Sequence, residues 1–263
     1  MRKSLIPAQR RERIQEYLST HKVARLADLS EMLQASEATI RRDLERLEET
    51  GFLERTHGGA VLSKRLSREP DYHQRLHDSP HEKHLIGQLA ASLIEDGDIV
   101  FINGGTTSTE VIRNVRPNAN IIVITNNLFA AMEIDKRGFD LILLGGLYQP
   151  ISHSVGGYFA VDNLKQVYAD KTFIGVDGIS LKYGCTFPTS AEAEVVRTMM
   201  GRTRGPVYIL ADHSKWGTVS NYEVAGIEKI HRLITDEKLD ANARKDLASY
   251  PVEVLIARDN ITA

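Results

Sequence analysis

Between positions 36 and 55 the apolar residues Ile40, Leu44 and Leu47 recur at i, i+4 and i+7, while Ala38, Arg41, Arg42 and Glu45 fall on the opposite side. That spacing predicts an amphipathic helix of about four turns. Ser36 is placed to cap its start, and Gly51 stands where a helix end takes a positive φ. Upstream, Pro7 suits a first helical position, and Ile14 and Leu18, with Tyr17 beside them, make a second apolar stripe. Residues 22–25 read as a short extended piece, and Leu26, Leu29, Met32 and Leu33 mark another short helix. After Gly51, residues 52–55 and the turn His57-Gly58-Gly59 read as a hairpin. Three short helices followed by a two-stranded wing make a small α+β winged helix-turn-helix domain, expected over residues 1–61.

From Glu82 onward the pattern changes to short, wholly apolar runs alternating with helical periodicity. Runs at 99–102, 121–125, 141–144, 171–175, 207–211, 233–235 and 252–256 read as strands. Segments near 85–93, 111–115, 128–134, 191–200 and 241–248 read as helices. Apolar strands alternating with helices predict an α/β domain with a mostly parallel sheet covered on both faces, expected over 81–263. The polar stretch 62–80, with Pro70 and Pro80, reads as the linker.

In such sheets ligands sit beyond the carboxyl ends of the strands. The run Gly104-Gly105-Thr106-Thr107-Ser108 follows the first strand and leads into a helix. Thr125-Asn126-Asn127 follows the second, Gly145-Gly146 the third, Asp177 the run at 171–175 and Lys215 the run at 207–211. Glycines admit backbone N–H groups to a ligand, hydroxyls add donors, and a helix N-terminus favours an anion. The first loop therefore reads as a phosphate cradle, against the alternative of an ordinary capped turn. It is neither a nucleotide P-loop nor a dinucleotide fingerprint. Lys215 can offset phosphate charge. Asp177 can accept from sugar hydroxyls or serve as a plain turn aspartate. His153, Tyr148, Tyr183 and Trp216 are candidates to shape the pocket around the sugar.

Composition adds little to this. The net charge is −2, but residues 1–65 carry +3 and the remainder −5. The asymmetry is weak, so DNA binding rests on placement: Ser36, Ala38, Thr39, Arg41 and Arg42 on the exposed side of the helix at 36–50, and His57 in the wing, with Lys64 and Arg65 beyond it. Arginine clamps guanine or phosphate, and Ala and Thr methyls touch thymine. A single cysteine, Cys185, excludes a disulfide framework. No bilayer-length apolar run and no apolar signal core are visible, so a cytoplasmic protein without membrane contact is expected. His73, His77, His81 and His84 recur every four residues or so. Pro80 interrupts them and no cysteine joins them, so they are read as solvent-facing, with no metal or cofactor expected.

The motif S-E-A-T-I-R-R-D-L-E-R-L-E-E-T-G, with Arg10, Ile14 and Leu18 upstream and the wing T-H-G-G-A, resembles the N-terminal signature of the DeoR family of bacterial sugar-metabolism regulators. G-G-T-T-S, I-T-N-N, L-L-G-G, G-V-D-G-I, the stretch from Glu192 to Met200 and A-D-H-S-K-W-G resemble that family's effector domain, which is similar to ribose-5-phosphate isomerase. The resemblance implies a repressor released from operator DNA by a phosphorylated sugar, with Thr106, Thr107 and Ser108 around the phosphate and either Glu192 or Glu194 matching the isomerase glutamate. An activator is one alternative. An active isomerase fused to a DNA module is another, but the isomerase pattern D-G-x-[DE] is broken here by Ser180, which argues for binding without turnover. One winged helix covers one half-site, so a homo-oligomer, dimer or tetramer, is expected.

Overall fold

The computed structural model describes residues 5–21, 23–56, 58–62, 64–65, 71–133 and 138–259. Helices α1 (Pro7–His21), α2 (Leu26–Leu33) and α3 (Glu37–Glu49) pack with strands β1 (Val23–Arg25), β2 (Leu53–Thr56) and β3 (Gly59–Leu62). The strands form an antiparallel sheet in the order β1-β3-β2. Ile14, Leu18, Leu29, Ile40, Leu44 and Leu53 are buried between them. The Ser36 hydroxyl accepts from the Thr39 N–H at 3.3 Å, and Gly51 has φ +74°, so both ends of α3 are set by local chemistry. Arg10 is buried and its Nε donates to Asp43 at 2.7 Å, which clamps α1 onto α3. One of the basic residues at the start of the chain thus serves to hold α3 in place.

The larger unit follows β4 (Lys64–Arg65), α4 (Tyr72–His77) and α5 (Pro80–Ser92). Its elements are β5 (Ile99–Ile102), α6 (Thr106–Asn114), β6 (Ile122–Thr125), α7 (Leu128–Glu133), β7 (Asp140–Leu143), β8 (Leu147–Gln149), β9 (Ser154–Gly156), α8 (Tyr158–Leu164) and β10 (Lys171–Gly175). After these come β11 (Gly178–Ser180), β12 (Gly184–Phe187), α9 (Ser190–Gly201), β13 (Val207–Leu210), β14 (Thr218–Val219), β15 (Tyr222–Ala225), β16 (Arg232–Asp236), α10 (Ala241–Leu247) and β17 (Glu253–Ala257). Seven strands form one sheet in the order β17-β16-β13-β10-β5-β6-β7, with every pairing parallel. Alternate residues feed two cores. Val100, Ile102, Val123 and Phe173 join Ile86 of α5 and Ile112 of α6 on one face. Phe101, Ile124 and Ile174 join Val196 of α9 and Leu247 of α10 on the other. Burial on both faces is why these strands read as continuous apolar runs.

Part of the expected linker, residues 62–80, is folded as α4. Asp71 caps α4 by accepting from the His73 N–H at 2.9 Å. The Tyr72 ring is buried and stacks on Phe129 at 4.5 Å, and its hydroxyl pairs with the Thr109 hydroxyl at 2.9 Å. Tyr72 and Arg75 lie three apart on one side of the helix, and both point inward. The histidines go separate ways: His73 packs edge-on to Phe129 and His153, His81 meets Asp259 and His84 meets Glu110. Among the described residues no three metal-binding side chains come together, and no helix is long and apolar enough to cross a membrane.

Candidate functional site

On α3, Ser36, Ala38, Arg41 and Arg42 are exposed and Thr39 is half-buried. The Ser36 and Thr39 hydroxyls lie 2.9 Å apart, so capping occupies both. Arg41 reaches Glu37 of the preceding turn at 3.4 Å, both side chains lying in solvent. No carboxylate among the described residues stands at ion-pair distance from Arg42, which leaves its guanidinium available. Arg55 of the wing folds back onto Glu45 and Glu48 at 2.7 and 3.1 Å. His57 lies outside the described residues.

A second site follows from the sheet topology. From β5 the chain steps outward to β6 and β7, then returns to β10 on the other side of β5 and steps the opposite way to β13, β16 and β17. The loops leaving β5 and β10 therefore diverge and open a crevice, the place where parallel sheets bind ligands. A small cavity open to solvent lies there. It is lined by Arg75, Gly104, Gly105, Thr106, Thr107, Gly175, Val176, Asp177 and Lys215. Gly105 precedes α6 with φ +140° and no side chain reaches back to cap that helix. The conformation favours glycine, and it leaves the positive end of α6 facing the cavity, where an anion is stabilised.

The cavity also holds a buried charge pair. Arg75 Nη1 donates to Asp177 Oδ1 at 3.0 Å, both side chains almost fully enclosed. Glu192 lies behind them. Burial first, and then the charge of Asp177, hold its carboxyl above the usual range, against the pull of Ser152, Thr189 and Arg75. Lys83 of α5 donates to the carbonyls of Arg75 and Asp78, which closes the end of α4 and fixes the helix that delivers Arg75. Burial brings the Lys83 ammonium down to about 8.

The loops after β10 and β13, which carry Asp177 and Lys215, run on to contacts with the wing. Beyond Asp177 the chain forms β11, and Ser180 at its end lies beside Glu54 of β2. Beyond Lys215, Gly217 donates to the Ile179 carbonyl at 2.9 Å and lies against Val61 of β3. A Cβ at Gly217 would stand 2.7 Å from Val61 Cγ2. Thr218 and Val219 then pair with Lys64 and Arg65 as β14 and β4. Burial pushes the Glu54 carboxyl up to about 7, opposed by the Ser180 hydroxyl and Lys182 and reinforced by Glu48.

With its folded value raised above the ordinary one near 4.5, Glu54 makes stability independent of pH below about 4.5. Stability then falls as pH rises to about 7, because the folded protein holds a proton that the unfolded chain releases. Glu54→Gln is expected to remove that slope and to be more stable than the parent above about pH 7, by up to roughly 3 kcal/mol. Urea unfolding midpoints measured across this range for both proteins check it; parallel curves would disprove the assignment.

The structure thus brings Gly104, Gly105, Thr106, Thr107, Asp177 and Lys215 to one cavity. It sets five other candidates behind the wall. Ser108 is fully buried and donates to Asn103 at 2.8 Å. Asn126 accepts from the Gly104 N–H at 2.8 Å and so shapes the loop from beneath. Asn127 donates to the Thr109 hydroxyl, Gly146 abuts the Gly156 carbonyl, and Glu192 lies beyond Asp177. Tyr148 bonds His153 at the surface, and Trp216 lines a separate cavity between wing and sheet. The residue that sequence reasoning missed is Arg75. Its one sequence signal was the i, i+3 pairing with Tyr72.

Comparison with known proteins adds two family matches. Residues 10–65 match the DeoR-like helix-turn-helix domain, and residues 78–237 match the DeoR C terminal sensor domain. The HTH-type transcriptional repressor GlcR of Bacillus subtilis is 36% identical over 249 residues, covering 94% of this chain and 95% of that protein. The HTH-type transcriptional regulator GlpR of Haloferax volcanii is 34% identical over 251 residues, covering 95% and 98%. Among solved structures, ribose 5-phosphate isomerase A from Methanocaldococcus jannaschii aligns over 51% of this chain and 53% of its own at 15% identity. Its TM-score of 0.37 is too low to carry function across.

Proposed function

The chain belongs to the DeoR family of DNA-binding transcriptional regulators, and from that footing we propose that it represses a carbohydrate-utilisation operon and leaves its operator when a phosphorylated sugar binds. In this reading α3 enters the major groove with Ala38, Arg41 and Arg42 at its surface, and the wing touches flanking phosphate. The protein works in the cytoplasm as a dimer or tetramer, so that recognition helices meet paired half-sites. The phosphate sits at the N-terminus of α6 on Gly105, Thr106 and Thr107, neutralised by Lys215. The sugar hydroxyls face Asp177 and Arg75.

The observation that carries this reading is the continuity of pocket and wing. Asp177 and Lys215 line the cavity, and the residues just after each of them hold β2, β3 and β4. A ligand shifts an equilibrium only through its different affinity for the two states. A sugar phosphate that re-aims these loops changes how firmly the wing is held, and that difference is what moves the DNA-reading helix. Turnover is not part of the reading. Arg75 holds Asp177, and the position that would carry a second acid in the isomerase pattern, Ser180, faces Glu54 of the wing.

A thermal-shift series of pentose and hexose phosphates tests it, since a ligand that binds only the native state raises the midpoint. Thr107→Ala and Lys215→Ala are each expected to weaken the effective sugar phosphate by about ten- to a hundredfold, the loss of one hydrogen bond to a charged group. Duplex binding, measured on sites selected from random DNA, is expected to stay within about twofold of the parent. Aldose–ketose interconversion by the purified protein would overturn the sensor reading.

A further inference from the structure

The large hydrophobic side chains left in solvent are not scattered. Of the twelve exposed among the described residues, eight lie between positions 132 and 159. Ile142 and Leu143 are on β7, Leu147 and Tyr148 on β8, and Tyr158 and Phe159 open α8. Their exposures run from 38% for Leu143 to 71% for Phe159. These segments adjoin one another. The Gly145 N–H after β7 bonds the Asn163 side chain of α8 at 3.3 Å, and Leu147 lies against Gly157, the residue before Tyr158. The chain is 26% charged, yet positions 141–161 contain no Asp, Glu, Lys or Arg. Charge depletion around exposed aromatics marks the centre of an interface rather than ordinary surface.

We propose that this face is where a second copy of the chain docks. It is an extension of the reading that paired recognition helices grip the operator. Three observations choose a second copy over another partner. The six named side chains expose on the order of 700 Å², close to the ~800 Å² that each partner contributes to an interface of standard size. Next, β7 is the last strand of the sheet, and the peptide groups on its far side face no strand among the described residues. An apolar edge of this kind is an aggregation hazard unless covered. Two β7 strands meeting antiparallel across a two-fold axis cover both edges at once, because such an interface uses the same patch on each subunit. Finally, β7, β8 and α8 do not pack against α3, so pairing through this face leaves both reading helices free for DNA.

Tyr148 links this surface to the pocket. Its hydroxyl bonds His153 at 2.9 Å, and the His153 ring packs on Tyr72 of the helix that carries Arg75. Docking of the second copy thus bears on the element that delivers Arg75 to the effector.

The test is sedimentation equilibrium of the full-length chain at micromolar concentration, with Leu147→Glu/Phe159→Glu as the variant. The parent is expected to sediment as an even multimer and the variant at half that mass or less. The circular-dichroism melting midpoint of the variant is expected to match that of the dissociated parent, and its operator affinity to fall at least about tenfold. Hydrogen exchange on the unmodified protein, diluted through its dissociation, needs no variant: amides at 140–149 are expected to lose protection as the mass falls. A monomeric parent, a variant that keeps the parent's mass, or unchanged protection at 140–149 would each overturn the proposal. None of these readouts uses a sugar phosphate, so failure here leaves the effector reading standing, and the reverse holds.

Discussion

Arg75→Met is expected to lose the response to effector and to destabilise the fold by about 3–5 kcal/mol, the cost of leaving a buried charge without its partner. The guanidinium is the cation that faces Asp177 at 3.0 Å inside the cavity, and Glu192 stands close behind. Methionine keeps most of the length and apolar volume, so the loss is electrostatic rather than a packing void. Without Arg75 two carboxyls share a nearly dry space, and one must take up a proton or the crevice must open. Arg75→Met/Asp177→Asn separates the effects. It is expected to recover most of the stability, because the unpaired charge is gone, while effector binding stays lost. Denaturant unfolding with thermal shift in the sugar phosphate that works on the parent reads both. A double variant that still responds would remove Arg75 and Asp177 from the binding site.

Arg42→Ala is expected to weaken operator binding by about ten- to a hundredfold, the usual worth of 1–3 kcal/mol for one specific arginine contact. It should leave effector binding and stability unchanged, because the side chain is exposed. Arg41→Ala is expected to do less, since Arg41 must first leave Glu37. Fluorescence anisotropy across a salt series assigns the contact. A base-reading Arg42 relaxes preference at one position of the site. A phosphate-binding Arg42 weakens all sequences alike and lowers the salt slope by about one. Parent-like affinity of Arg42→Ala would mean that another face of α3 enters the groove.

Much of this was visible in the residues alone, and for a physical reason. Helix α3 is bounded by Ser36 and Gly51, whose effects act within one turn. The parallel strands announce themselves because burial on both faces demands unbroken apolar runs. The loop at 104–108 could be placed because a glycine pair after such a strand and before a helix has few other uses. The shorter strands β8, β9, β11 and β12 carry three or four residues of signal each, too few to fix their pairing. Ser108, Asn126 and Asn127 look like ligand donors by type. Their direction is set by which side of the crevice wall the backbone turns them to, and they serve the wall.

Arg75 shows where sequence reading stops. It stands in a polar stretch with prolines on either side, where an arginine is ordinarily solvated, and its partner lies 102 positions later. By itself the sequence determined the three helices and wing, the alternation that makes a parallel sheet and the glycine-rich turn after the first of its strands, since each rests on contacts among near neighbours. The tertiary structure decided which polar groups converge at the crevice, that the helix at Tyr72–His77 reaches into it, and that the loops leaving it hold the wing. Those outcomes depend on the order in which strands lie side by side, and strand order is a property of the whole chain that no local pattern encodes.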